Sequence, residues 1–119
     1  MLSLEQLAAL FEQNRAAASV RVREFSIGGQ KFNFNSQPAI MGVVNLSADS
    51  WYRESVCLSA EAAVQRGKVL VAQGAHIIDV GAESTLAHAT RVGDAAQKSK
   101  LIPVIKQLRA EKILVSVET

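Results

Sequence analysis

Two stretches of this chain follow the same order, and that order constrains the fold more than any other feature. Ile40-Met41-Gly42-Val43-Val44-Asn45-Leu46-Ser47-Ala48-Asp49-Ser50-Trp51 runs from an apolar strand into small and oxygen-bearing residues. Ile77-Ile78-Asp79-Val80-Gly81-Ala82-Glu83-Ser84-Thr85 does the same. An amphipathic helical pattern follows each. Repeated strand, polar loop and helix is the order in which an α/β barrel assembles a site, because ligands there sit at the C-terminal ends of parallel strands.

The remaining pattern places these motifs in an α/β chain. Residues 2–18 read as a helix with Leu4, Leu7, Ala8, Phe11 and Ala18 near one face and Ser3 with Gln6 as a capping box. Val20–Phe25 and Lys31–Phe34 alternate apolar and polar around Gly28-Gly29, as a hairpin does. Ala39–Val44 is apolar on both faces, as a buried parallel strand is. A long loop spans residues 45–58. Ser59 then caps a helix that Gly74 ends. His76–Val80 forms the next strand, and a second loop reaches about Gly93. Asp94 caps a helix to about Leu108, with Pro103 expected to kink or divide it. Ile113–Val117 is the third core strand.

Right-handed crossovers make the three core strands parallel neighbours. The expected fold is therefore α/β: a partial (β/α)8 barrel with an N-terminal helix and β-hairpin. Residues 1–19 form the helical segment and 20–119 the barrel portion. A full barrel has eight strands and roughly 250 residues, so three strands cannot close.

Composition excludes several function classes. The net charge of +2 among 119 residues is small, the basic residues are scattered, and aromatic residues make up 5%. That argues against a nucleic-acid partner. No apolar run reaches the roughly 18 residues that span a bilayer. Early Glu5 and Glu12 do not fit a secretory leader. Cys57 is the single cysteine, so no internal disulfide forms, and a reducing cytoplasm is the expected location. No basic group is placed in sequence to activate the thiol.

The strand-end residues carry the chemistry. Asn45 offers a neutral oxygen suited to Mg²⁺, although a loop asparagine also commonly bonds backbone groups. Asp79 and Glu83 are carboxylates whose structural reading is to accept hydrogen bonds and fix the loop. Ser84 and Thr85 offer hydroxyl and backbone donors to an anion. Glu118 ends the third strand, where a carboxylate can take parallel N–H donors or simply be solvated. His76 reads as a core-edge residue. His88 lies in the second loop, where a lone histidine is weak evidence for catalysis.

Taken together, the string Met-Gly-x-x-Asn-x-Ser-x-Asp-Ser-aromatic and the string Ile-Asp-Val-Gly-Ala-Glu-Ser-Thr resemble the two N-terminal signatures of dihydropteroate synthases. The resemblance extends from about Ile27 to the end. It implies a pterin-binding barrel of folate biosynthesis. A complete member joins 4-aminobenzoate to a 6-hydroxymethyl-dihydropterin diphosphate and releases diphosphate, with magnesium as cofactor. By this resemblance Asn45 matches the magnesium-ligating asparagine. Asp49 and Ser50 match loop residues that order over the second substrate. Thr85 matches the threonine that faces the pterin diphosphate, with Ser84 a donor beside it, and Glu118 stands where the family has an aspartate facing the pterin ring.

The chain also departs from that family. Thr85-Leu86-Ala87-His88 replaces Thr-Arg-Pro-Gly, so Leu86 removes a cation suited to diphosphate; Arg91 is a nearby substitute in sequence. Ala48 replaces a proline, which loosens the first loop, and Ala82 replaces a glycine. Arg53-Glu54 stands near the place of an Asp-Gly-Gly. The lysine and arginine of later family strands are absent from the sequence. The isolated chain is therefore expected to be inactive. A paralogue with another pterin or folate reaction, or a non-catalytic oligomerisation or regulatory module, are the alternatives. Open strand edges and apolar barrel-lining residues lead us to expect a homo-oligomer.

Overall fold

The computed structural model describes residues 1–84 and 91–118. The chain divides into two units, Met1–Pro38 and Ala39–Thr119.

The first unit begins with α1 (Leu4–Gln13). Ser3 Oγ accepts from the Gln6 N–H at 3.2 Å, and Gln6 Oε1 accepts from the Ser3 N–H at 2.9 Å, so the expected capping box is present. The helix does not run unbroken to residue 18. Asn14 leaves helical geometry (φ −116°, ψ 23°), its side-chain amide donates to the Leu10 carbonyl at 2.8 Å, and a short α2 (Arg15–Ala18) follows. Asparagine competes well for backbone groups in this way, which is why it interrupts helices.

The hairpin is also shorter than its alternation suggests. Strands β1 (Phe25–Ile27) and β2 (Gln30–Phe32) pair antiparallel, with Phe25 opposite Phe32. Gly28 (φ 57°) and Gly29 (φ 84°) supply the two left-handed residues that a tight two-residue turn requires. Residues 20–24 form no strand. Asn35 takes both backbone groups of Val22, accepting from its N–H at 3.1 Å and donating to its carbonyl at 2.6 Å. One side chain thus does what a neighbouring strand would have done. Phe25, Phe32 and Phe34 pack together with ring centroids 5.3–6.2 Å apart.

The second unit is a βαβαβ arrangement. Strands β3 (Met41–Asn45), β4 (Ile77–Gly81) and β5 (Val115–Glu118) form a parallel sheet in that order. Helix α3 (Ala60–Ala72) links β3 to β4, and α4 (Asp94–Ala110) links β4 to β5. Ser59 caps α3 by accepting from the Ala62 N–H at 3.1 Å. Gly93 rather than Asp94 is the N-cap of α4; Asp94 instead places its charge in the first turn, where the helix dipole favours an anion. Pro103 neither ends nor divides α4, which runs 17 residues through it. Pro103 and Ser99, whose carbonyl loses its donor, both lie on the exposed side, where water can take that bond.

The core lies between the sheet and its helices. Val44, Ile78, Val80, Val104 and Leu108 are fully buried there. The face of the sheet away from the helices is open: Met41 is 53% exposed and Val43 36%. His76 ties the two strand starts together, its Nδ1 accepting from the Ile40 N–H at 3.1 Å, which gives it a structural role. No described helix is long and apolar enough to cross a membrane.

Candidate functional site

The sheet register brings the ends of all three strands into one row. Asn45 pairs with Gly81, and Gly81 with Glu118. Side chains in a row share a face, so the Asn45 amide and the Glu118 carboxylate flank a residue with no side chain. Gly81 leaves the room they use: a Cβ there would lie 3.1 Å from Asn45 Oδ1 and 3.6 Å from Glu118 Oε2. Two residues down the same face, Ser116 Oγ donates to Asp79 Oδ1 at 2.5 Å. Asp79 therefore braces β4 against β5, in keeping with its structural reading.

The first loop folds back onto its own strand. The Cys57 N–H donates to the Asn45 carbonyl at 2.7 Å. Asn45 Nδ2 donates to Ser55 Oγ at 2.7 Å, and Ser55 Oγ donates to the Tyr52 carbonyl at 2.6 Å. A 3-10 turn over Arg53–Ser55 shapes this return. Burial pushes the Cys57 thiol pKa up, with Arg66 opposing weakly, so the thiol is held protonated and is a poor nucleophile.

The second loop is joined to the first by Ser84, whose hydroxyl donates to the Asp49 carbonyl at 3.2 Å. Glu83 anchors it to the start of α4. Its carboxylate accepts from Arg91 at 2.7 Å and from Gln97 Nε2 at 2.7 Å, and the same Gln97 amide donates to the Val92 carbonyl. Arg91 is thus within reach of the site through Glu83, with its own side chain largely in solvent.

Together these elements enclose a cleft of about 350 Å³ lined by Val43, Asn45, Ser50, Trp51, Tyr52, Glu83, Ser84 and Glu118. Of the residues singled out from sequence, the structure brings Asn45, Ser50, Glu83, Ser84 and Glu118 into this one cleft. Asp49 is exposed and is not among the residues lining the cleft; its backbone carbonyl accepts from Ser84. Thr85, Leu86 and His88 lie outside the described residues.

Sequence reasoning did not place Trp51, Tyr52 or Val43 on the cleft. The adjacent aromatic pair directly after a polar loop was the available signal. Their rings stand 6.5 Å apart and both are exposed. The Tyr52 hydroxyl donates to Glu54 at 3.0 Å, and this hydrogen bond, with the negative charge behind it, raises the phenol pKa.

Known proteins share both the sequence and this architecture. Residues 41–119 match the family of pterin binding enzymes. The chain is 40% identical over 80 residues to the dihydropteroate synthase of Mycobacterium leprae, covering 67% of this chain and 28% of that protein. It is 34% identical over 101 residues to a mitochondrial folate synthesis bifunctional protein of Arabidopsis thaliana, covering 82% and 18%. Among solved structures, a Yersinia pestis dihydropteroate synthase in complex with a sulfonamide drug superposes with a TM-score of 0.72 at 26% identity, over 82% of this chain and 35% of that one. A Xanthomonas albilineans dihydropteroate synthase with 4-aminobenzoic acid gives 0.66 at 33% identity, over 81% and 36%. The chain spans about a fifth to a third of these proteins, and its sheet is the corresponding part of a (β/α)8 barrel. With the strand-end cleft, both signature loops and the family match over residues 41–119 in agreement, the chain belongs to the dihydropteroate synthase family of pterin-binding enzymes.

Proposed function

We propose that the cleft binds a dihydropterin diphosphate in a magnesium-dependent manner, as the first part of a site for condensation with 4-aminobenzoate. The row Asn45–Gly81–Glu118 carries this reading, because it sets a neutral oxygen beside a carboxylate on one open face. Glu118 would accept the paired N–H groups of an amino-pyrimidinone edge. Ser84 lines the same cleft and offers a polar contact to a diphosphate, with Thr85 following in sequence, while Ser50 lines it on the loop read as ordering over the second substrate. Trp51 and Tyr52 provide aromatic surface for an arylamine, and Asp49 precedes them in the same loop.

The donor set fits magnesium held jointly with substrate. Asn45 Oδ1 accepts no hydrogen bond among the described residues. No cluster of three or more His, Cys, Asp or Glu could hold a metal among those residues. Mg²⁺ characteristically uses one or two protein oxygens together with phosphate and water, so Asn45 suits it where a closed cage is lacking. When bound, the ion would neutralise charge on a departing diphosphate. In the full reaction the arylamine nitrogen bonds to the pterin methylene carbon as that carbon's bond to diphosphate oxygen breaks, and the nitrogen gives up a proton.

The 119-residue chain is expected to bind without turning over. Leu86 replaces the usual arginine, and among the described residues three strands of the barrel's sheet are present. The loss of that cation also favours the second reading, a non-catalytic module or a paralogue with another pterin or folate reaction. The chain is expected to act in the cytoplasm and to self-associate.

Calorimetric titration of the purified chain with 6-hydroxymethyl-7,8-dihydropterin diphosphate tests the proposal. Binding should require Mg²⁺, weaken at least about tenfold in Asn45→Ala, as loss of a charge-assisted contact predicts, and produce no dihydropteroate with 4-aminobenzoate. Absence of heat with or without Mg²⁺ would overturn it.

A further inference from the structure

We infer that Ser55, a residue outside both signature strings, is the positioning residue that decides which face of the Asn45 amide meets the cleft. The inference rests on the reading of Asn45 as the metal ligand. An asparagine is ambiguous at a cation site, because one end of its amide is a ligand and the other an N–H donor that would repel the ion. Something must select the end.

The selection follows from counting protons. A serine hydroxyl has one hydrogen, and Ser55 donates it to the Tyr52 carbonyl at 2.6 Å. Its oxygen is then only an acceptor. The Asn45 atom 2.7 Å away must therefore be a donor, Nδ2. The network itself assigns the amide. Oδ1 is left on the opposite side, above Gly81 and next to Glu118, facing the cleft.

Two features make the device rigid. Ser55 is fully buried, so water cannot replace its partners. The Tyr52 carbonyl is fixed a second time, accepting from the Ser55 N–H at 3.1 Å within the 3-10 turn. Partners behind a metal ligand tune affinity by fixing its orientation and raising its basicity.

The test uses the full chain with isotope labelling. In the native protein the Asn45 side-chain NH₂ should show nuclear Overhauser contacts to the Ser55 methylene and slow solvent exchange. Ser55→Ala should abolish those contacts and speed the exchange. Should that variant fail to fold, Ser55→Cys keeps the volume with a much poorer acceptor and serves instead. Unchanged amide contacts to neighbouring residues and unchanged exchange in a folded variant would overturn the inference.

A binding arm separates positioning from support of the fold. With Mn²⁺ and inorganic diphosphate as probe, Ser55→Ala should weaken binding by about tenfold or more. In an Asn45→Asp background the two ligand oxygens are equivalent, so the same change should cost less than about twofold. An equal loss in both backgrounds would show Ser55 to be merely structural and would also overturn the inference. If the native chain does not bind the probe, the functional reading fails, while the amide contacts still decide whether Ser55 selects the face.

Discussion

Cys57 illustrates how a residue that looks reactive in sequence is disarmed by its surroundings. Its backbone N–H closes the first loop onto Asn45, while its thiol is buried and its pKa raised above 9.0. A raised pKa in the folded state means that the native protein holds this proton more tightly than the unfolded chain. The resulting stabilisation is complete below the unfolded value and is lost as pH rises through the folded one. Urea melts of wild type and Cys57→Ala should therefore converge as pH is raised above about 9. A stability difference that stays constant with pH would contradict this, as would rapid labelling of the native thiol at neutral pH.

The same residue scale shows what the sequence could reveal. Asn45 and Glu118 could be placed together because parallel strands put their ends on one row. Ser84 was singled out as a hydroxyl donor in the loop after β4, and Ser50 only by the resemblance of its string to the family signature. Ser55 and Gln97 were not legible, and Arg91, read only as a substitute cation, was not foreseen on Glu83. Their roles depend on a loop returning ten residues to its own strand and on a helix start meeting Glu83, contacts that no periodicity encodes.

At the level of elements, α3 and α4 approach closely because Gly67 has no side chain. A Cβ there would meet Leu108 Cδ2 at 2.8 Å, and Leu108 is fully buried. Gly67→Ala gains about 1 kcal/mol of helix propensity but overpacks a filled core at a cost of about 1–3 kcal/mol, so it should be neutral to destabilising. Leu108→Ala alone should cost about 2–5 kcal/mol. In that background Gly67→Ala should become stabilising, since the clashing methyl is gone and a cavity is partly filled. Equilibrium denaturation of the four proteins measures the coupling, and strict additivity would show that the two helices do not pack through these residues.

Elements also show where local pattern yields to a particular side chain. The helix–strand alternation of residues 39–118 was readable from apolar runs and from Ser59 and Gly74 at the ends of α3. The expected strand at Val20–Phe25 is realised only from Phe25, with Asn35 taking the backbone groups of Val22, and α4 passes through Pro103 with Ser99, whose carbonyl loses its donor, on the exposed side. Alternation and proline report tendencies of the backbone, and single polar contacts can override them.

On the scale of the whole molecule, the sheet in the second unit is open. Among the described residues β3 and β5 each have one edge without a partner strand, apart from a bridge between Asn45 and Val56, and Met41, Val43 and Val117 are 36–53% exposed. In the first unit, Leu4, Leu7, Leu10 and Phe11 on α1 are 45–85% exposed. Unpaired edges and apolar surface of this kind favour association, and a symmetric dimer is its commonest closed form. Sedimentation equilibrium at micromolar concentration should show a dimer or larger species, with Val117→Lys shifting it toward monomer. A monomer at all concentrations would contradict this prediction.

In the proposed function, one cleft at the ends of β3, β4 and β5 receives the pterin diphosphate. Backbone resonance mapping of the labelled chain, titrated with dihydropterin diphosphate and Mg²⁺, tests it most directly. Shifts should concentrate at Asn45, Ser50, Gly81, Ser84 and Glu118 rather than along α3 and α4. Shifts centred elsewhere, or none at saturating ligand, would contradict it.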